Sequence, residues 1–142
     1  MIKVVPFIYQ DIDDLCANTY VLVDKNNSCV VIDPSKDYDG IVNFIKKNNL
    51  NMKAVLLTHI HFDHIRGVDR LVNAFNCPTY VGFDDEPYIN DREGNLSNWL
   101  ENDLYVSAKL TSCYYNEELN LLDEKITVIN TPYHTIGSVS YY

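Results

Sequence analysis

The sequence predicts an α/β protein, and three observations support this prediction. Nearly continuous apolar runs, which are typical of buried strands, alternate with segments of helical periodicity. Along the chain the order is strand, helix, strand, histidine-rich loop, helix, strand, an alternation typical of α/β folds. The histidine-rich segments follow predicted strands, and ligands of open α/β sheets bind at the carboxyl ends of strands.

The first predicted elements form a β-hairpin. Two runs rich in β-branched and aromatic residues, 18–23 and 28–33, flank the turn sequence Asp24-Lys25-Asn26-Asn27. The second run is almost entirely apolar, so we expect it to be buried on both faces. Asp33 precedes Pro34, and we interpret it as the turn residue that ends this strand.

A helix, a strand, a second helix and a short strand follow. The helices are predicted over 38–48 and from Val68 to Phe75, because apolar residues recur there at helical spacing. The strands are predicted over 54–58 and 79–82. Phe83 to Asn116 is interpreted as short helices and a long loop near the site. Further strands are predicted at 125–130 and from Ser138 onward.

Composition limits the classes of function. The 142 residues suit one domain, 1–142, and the formal charge of −9 leaves no basic patch for nucleic acid or an anionic membrane. The N-terminus lacks the features of a signal peptide, and no apolar run approaches the roughly 18 residues of a membrane span. The four cysteines are widely spaced and predict buried, reduced thiols, as in a cytoplasmic protein. We therefore expect a small molecule as the partner.

All four histidines lie in two segments that suit a metal site. His59, His61 and His64 fall within seven residues together with Asp63, and His134 stands alone in a distant turn-like segment. Alternate residues of an extended segment share a face, so His59 and His61 can bind one cation together.

Asp63 and His64 can serve a second cation nearby, and His134 can complete a three-histidine first site. A lone histidine is more often a core or surface residue, so His134 by itself is a weak indication. Thr58, Thr131 and Thr135 are candidate hydrogen-bond partners for the imidazole N–H groups.

The motif Thr58-His59-Ile60-His61-Phe62-Asp63-His64 resembles the T-H-x-H-x-D-H signature of the metallo-β-lactamase superfamily. Segments 18–22, 31–34 and 131–138 match that superfamily in order and approximate spacing. The glyoxalase II-like hydrolases are the most similar branch. Their final segment typically reads T-P-G-H-T-x-G-S, whereas this chain has Tyr133 at the glycine, and Ser35 likewise stands where they often have glycine.

The resemblance implies a fold, a metal and site residues. The fold is an αββα sandwich, of which this chain would carry roughly the N-terminal two-thirds. His59, His61 and His134 would hold a first Zn²⁺, with iron or manganese in some members. Asp63 and His64 would contribute to a second metal. The bridging aspartate and final histidine of the family have no match before Tyr142, so we expect a truncated form or a homodimer that completes the fold.

The activity implied is metal-dependent hydrolysis of thioesters or related esters through a metal-bound hydroxide, with Asp63 as the catalytic residue that orients the water. The alternative is a catalytically impaired metal-binding fragment that lacks the bridging Asp and the final His. A redox member with two irons ranks last, because its relatives carry a flavodoxin-like domain that is absent from this sequence. The charge of −9 argues against a nuclease.

Overall fold

The computed structural model describes residues 1–10 and 15–142 and contains a larger sheet of six strands. In both spatial and chain order these are β1 (Lys3–Phe7), β2 (Thr19–Val23), β3 (Ser28–Ile32), β4 (Asn51–Leu56), β5 (Thr79–Gly82) and β6 (Leu110–Cys113). The β1–β2 and β2–β3 pairs are antiparallel, and the pairs from β3 to β6 are parallel.

The predicted hairpin is confirmed as β2 and β3. Asp24 stabilises its turn, because its Oδ1 accepts hydrogen bonds from the backbone N–H groups of Asn26 and Ser28, both at 2.8 Å. Four of the five residues of β3 are buried. The continuous apolar run was therefore correctly interpreted as a strand covered on both faces.

The two predicted helices are confirmed as α1 (Gly40–Lys47) and α3 (Val68–Phe75). A further short helix that was not predicted, α2 (Phe62–Ile65), lies within the histidine-rich segment. None of the helices among the described residues has the length and apolar character needed to cross a membrane.

The prediction for Phe83 to Asn116 is only partly right. Two short 3-10 turns, Glu86–Tyr88 and Ser97–Trp99, agree with it. The segment nevertheless ends in β6, which pairs with β5 and extends the parallel part of the sheet. The sequence of β6 is short and half polar, and the backbone partner that makes it a strand lies far away in the chain.

A second, smaller sheet lies against the first. It contains β7 (Glu118–Leu119), β8 (Ile126–Asn130) and β9 (Val139–Tyr141), in that order and antiparallel. The side chains of Val30, Ala54 and Leu56 form a core with residues of this sheet such as Val128 and Val139.

A second core lies on the other face of the six-stranded sheet. Its side chains come from residues of β3 and β4 that alternate with those of the first core. Val31 of β3 and Val55 of β4 pack with Ile41 and Ile45 of α1 and Leu71 of α3. The described chain thus has three layers: helices, a six-stranded sheet and a three-stranded sheet. These layers confirm the predicted α/β class with stacked sheets.

Strand register positions the functional site. Ile32, the last residue of β3, is paired with Leu56, the last residue of β4. The segments that leave these two parallel strands therefore begin side by side, which places Asp33 next to Thr58 and the histidine-rich loop.

Candidate metal centre

Three of the predicted ligands converge at one point. The ligand nitrogens of His59, His61 and His134 all lie within 4.8 Å of one another. The ring centroids of His134 lie 4.7 Å from His59 and 4.5 Å from His61. His59 is buried, His61 is half-buried and His134 is exposed, so the cluster opens to solvent on one side.

The orientation of His59 follows from a short hydrogen-bond chain. The Thr58 hydroxyl donates to Oδ2 of Asp33 at 2.6 Å, so its oxygen accepts from Nδ1–H of His59 at 3.1 Å. The Nε2 atom of His59 then carries a lone pair. It is buried and has no hydrogen-bond partner among the described residues, and such a buried polar atom calls for an explanation.

His64 and Asp63 lie beside this cluster. The His64 ring is 4.0 Å from the His59 ring between centroids. Its Nδ1 donates to Asp33 Oδ2 at 2.8 Å, and its Nε2 lies 3.6 Å from Oδ2 of Asp63. One imidazole nitrogen and one carboxylate oxygen therefore point to a common location next to the three-histidine cluster.

The electrostatic surroundings of the histidines differ. Burial, reinforced by the neighbouring imidazoles of His64, His61 and His134, lowers the pKa of His59 to about 3. Burial and the nearby His134 also lower the pKa of His61. A neutral imidazole is the form that binds a metal ion.

For His64, burial acts to lower the pKa, but the hydrogen bond and charge of Asp33 outweigh it and raise the pKa above its ordinary value. The carboxylate that orients this ring therefore also favours its protonated form.

The turn that carries His134 is held by Asp85. This carboxylate, 1% exposed, accepts from the Thr135 hydroxyl at 2.6 Å and from the backbone N–H of Gly137 at 2.9 Å. The Thr135 hydroxyl thus forms hydrogen bonds with Asp85 and Ser138. The Thr131 hydroxyl forms one with the Ser140 hydroxyl. Their predicted bonds to imidazole rings are absent from the described contacts, and only Thr58 fulfils that role.

The turn also packs closely against the end of β5. A Cβ added at Gly82 would lie 2.0 Å from the carbonyl oxygen of Gly137, and one added at Gly137 would lie 2.3 Å from the backbone nitrogen of Asp85. Neither glycine has a positive φ. The absence of a side chain at these two positions is therefore required for space.

Tyr133 occupies the position where the resembling family has glycine. It has no positive φ, and 95% of its surface is exposed. The turn accepts this bulky residue because its backbone needs no special conformation and its side chain projects away from the packed interior.

Sequence reasoning missed the roles of Asp33 and Asp85. Asp33 does end β3, with φ at +50°, but its carboxylate also accepts bonds from the Thr58 N–H, the Thr58 hydroxyl and His64. The signal that could have found it is its position at the end of a predicted strand, since the sequence already predicted ligands at the carboxyl ends of strands. Nothing in the local sequence distinguishes Asp85 from its acidic neighbours.

The four cysteines form no disulfide among the described residues, and contrary to the prediction they are not all buried. Cys29, Cys77 and Cys113 are buried, and burial raises the pKa of each thiol, to about 12 for Cys29 and about 11 for Cys113. Cys16 is half-buried and lines a cleft beside the histidines.

Two clefts flank the cluster, and both are lined by His61, Leu96 and His134. The larger cleft, of about 620 Å³, is further lined by Tyr9, Gln10, Leu15, Cys16, Phe62 and Asp63. The smaller cleft, of about 310 Å³, is further lined by Ile60, Asp85, Tyr88, Glu93, Gly94, Thr135 and Ile136. The stretch after Phe83 thus forms part of the wall, as predicted.

A model of the metallo-beta-lactamase superfamily matches residues 13–142. The chain belongs to this superfamily. The matched range includes both histidine segments, so all the candidate metal ligands lie within the family domain. The predicted resemblance and the predicted fold are confirmed.

Two of the similar proteins are named as hydrolases. The chain is 34% identical over 128 residues to the probable metallo-hydrolase YqgX of Bacillus subtilis, covering 89% of this chain and 60% of that protein. It is 30% identical over 122 residues to the hydroxyacylglutathione hydrolase of Vibrio cholerae, covering 86% of this chain and 41% of that enzyme. The chain therefore spans less than two-thirds of the length of these relatives.

Solved structures of superfamily members confirm the architecture. The B3 metallo-beta-lactamase BLEG-1 superposes with a TM-score of 0.84 at 31% identity, over 100% of this chain and 66% of that one. A di-iron-bound form of TTHA1623 gives a TM-score of 0.79 at 25% identity, over 97% and 66% of the respective chains.

Proposed function

We propose that this chain is a metal-dependent hydrolase that cleaves thioesters or related esters. The observation that carries the proposal is the state of Nε2 of His59. This atom is buried and has no hydrogen-bond partner among the described residues, and it carries a lone pair because the ring proton lies on Nδ1. The ligand nitrogens of two further imidazoles lie close to it. A cation at this point would satisfy the atom, and the names of the relatives support hydrolysis as the reaction.

The donor set fits a borderline cation. Three neutral imidazoles suit Zn²⁺ and are also compatible with iron or manganese. His59, His61 and His134 would hold the first ion, and Asp63 with His64 would contribute to a second. When bound, such an ion supplies an activated water near neutral pH and polarises the substrate carbonyl.

The side chains of the chain itself position the reactants. Asp63 lines the larger cleft and is partly exposed, so its carboxylate can accept a hydrogen bond from the attacking water and orient it. Asp33 holds His64 and, through Thr58, His59. Water adds to the acyl carbon and the C–S or C–O bond breaks, giving a carboxylic acid and a thiol or alcohol, so no other reactant is needed.

The alternative is a chain that binds metal but hydrolyses poorly. Among the described residues, Asp63 and His64 are the two groups that point to the second location. Two donors bind a second cation weakly, so reactions that require two ions would be slow. Cytoplasmic location, a small-molecule substrate and a homodimer stay predictions.

Elemental analysis of protein purified without added metal, combined with its mass in solution and thioester hydrolysis, tests the proposal. We expect one or two metal ions per chain and measurable hydrolysis. The variant His134→Asn should lose metal and activity, whereas Tyr133→Ala, its exposed neighbour, should keep both. Bound metal without hydrolysis would favour the alternative, and a metal-free chain would contradict both readings.

A further inference from the structure

Two leucines with a left-handed backbone line the larger cleft. Among the described residues, seven other than glycine have a positive φ, and five of these are Asn or Asp, which tolerate this conformation. The other two are Leu15, with φ at +43°, and Leu96, with φ at +61°. Both line the larger cleft, and Leu96 also lines the smaller one. The strained leucines of the described chain therefore lie at the candidate site.

A leucine in this conformation costs free energy that glycine or asparagine would avoid, because its Cβ atom comes too close to the following carbonyl oxygen. Burial in a core could offset this cost. The Leu96 side chain, however, is 39% exposed and belongs to neither of the two hydrophobic cores. Backbone strain of this kind is concentrated at active sites and ligand clamps. The side chain of Leu96 therefore contributes something other than core packing.

Asn95 holds Leu96 in this conformation. Its buried side chain accepts a hydrogen bond from the backbone N–H of Ser97 at 2.8 Å, which spans Leu96, and donates one to the carbonyl oxygen of Ile89 at 2.6 Å. The backbone carbonyl oxygen of Asn95 accepts a hydrogen bond from the N–H of Phe62 at 2.8 Å. Phe62 belongs to the histidine-rich segment, so the backbone that carries Leu96 is fixed to the segment that carries the candidate ligands.

Leu96 faces the same space as two of the candidate ligands. Both clefts that it lines are also lined by His61 and His134. A substrate whose carbonyl reacts at the histidine cluster would therefore place the group beside that carbonyl against Leu96. If this group is apolar, the contact removes apolar surface of both partners from water, which stabilises the complex in proportion to the area covered.

We infer that Leu96 is a specificity-determining residue that contacts a hydrocarbon group next to the reacting carbonyl of the substrate. The inference rests on the proposed function, because that function places the carbonyl at the histidine cluster. It also explains why an exposed leucine occupies a strained position: the side chain serves binding, and the fold would be at least as stable without it.

A pair of hydroxamic acids tests the contact in the zinc-loaded chain without turnover. Acetohydroxamic acid and hexanohydroxamic acid carry the same metal-binding group, so the ratio of their dissociation constants isolates the contribution of the hydrocarbon chain. Calorimetry should show that the wild-type chain binds hexanohydroxamic acid about tenfold tighter, a difference of roughly 1.4 kcal/mol. Equal binding of the two compounds would overturn the inference.

Substitutions at Leu96 test the residue itself. Leu96→Gly and Leu96→Asn remove the hydrocarbon side chain and suit a positive φ, so the preference for hexanohydroxamic acid should fall by about threefold or more. Leu96→Met keeps an apolar side chain of similar volume and should retain the preference. Asn116→Gly is the control, because Asn116 also has a left-handed backbone, with φ at +65°, but lines neither cleft. An undiminished preference in Leu96→Gly would refute the assignment.

Thermal unfolding of the metal-free protein separates a role in binding from a role in the fold. Asparagine relieves the backbone strain, so the melting temperature of Leu96→Asn should equal or exceed that of the wild type. A fall of more than about 5 °C would show that the Leu96 side chain supports the fold, and would overturn the inference.

Hydrolysis of the hexanoyl thioester of N-acetylcysteamine, measured separately, distinguishes the inference from the proposed function. Hydroxamate binding that depends on Leu96, without turnover of the thioester, would refute the hydrolase and leave the inference standing. Turnover with the same kcat/KM in the wild type and in Leu96→Gly would refute the inference and leave the hydrolase standing.

Discussion

The carboxylate of Asp85 and the hydroxyl of Thr135 lie 2.6 Å apart, although 50 residues separate them in the chain. Asp85 also accepts a hydrogen bond from the Gly137 N–H, and the two bonds hold the His134 turn against the segment that follows β5. The position of one predicted metal ligand thus depends on a residue that does not touch the cluster of imidazole nitrogens.

Replacement of Asp85 by alanine should weaken metal binding. The change leaves the Gly137 N–H without its acceptor and frees the turn, and loss of such supporting bonds typically costs about 10–100-fold in metal affinity. Zinc affinity measured by competition with a chelator is the readout. Asp84→Ala is the matched control, because Asp84 bonds to Tyr115 instead. Equal losses in both variants would show that Asp85 has no specific role in holding the turn.

Replacement of Asp33 by asparagine should reverse the shift of the His64 pKa. Burial lowers this pKa, whereas the hydrogen bond and charge of Asp33, followed by the charge of Asp63, raise it. Without the Asp33 charge, the pKa should fall below its ordinary value. Asparagine tolerates the positive φ of this position. NMR titration of the metal-free protein measures the pKa, and Asp69→Asn, whose carboxylate bonds to Ser107, should leave it raised. A raised pKa in Asp33→Asn would contradict the assignment.

The metal-free protein should lose stability as the pH falls below that at which an ordinary histidine is protonated. Burial lowers the pKa of His59 in the fold to about 3, below the ordinary histidine value of 6.5. Between these two pH values the unfolded state binds a proton at this residue and the folded state does not. The free energy of unfolding should then fall by about 1.4 kcal/mol per pH unit from this residue.

Urea unfolding at a series of pH values measures this dependence. The variant His59→Asn should show a shallower fall between the two pKa values, since its side chain does not titrate. A parallel pH dependence in both proteins would mean that His59 is not held neutral by the fold.

Replacement of Gly137 by alanine should destabilise the protein and displace His134. The new Cβ would lie 2.3 Å from the backbone nitrogen and 2.7 Å from the Cβ of Asp85, so the backbone itself must move. Overpacking of this kind typically costs about 1–3 kcal/mol. Thermal unfolding and zinc affinity are the measurements, with Ser140→Ala as an exposed control on β9. Wild-type zinc affinity in Gly137→Ala would show that the turn adapts.

Much of the fold could be predicted because its signals are local. The apolar run of β3 and the helical spacing of Ile41 and Ile45 were read correctly, since each pattern reflects burial that the segment itself requires. The strand β6 was missed, because its four residues show no such pattern and become a strand only by pairing with β5.

The grouping of the candidate metal ligands in one segment follows from the sequence alone. The spacing of His59, His61, Asp63 and His64 brings two imidazoles together and a carboxylate beside a third, and backbone geometry over six residues is sufficient for that. The features that depend on distant partners follow from the tertiary structure. These are the position of His134 beside the other histidines, the carboxylates of Asp33 and Asp85 that orient the site, and the two clefts that share Leu96. Contacts between residues far apart in the chain form only when the sheets and loops pack. A local sequence pattern therefore does not predict them.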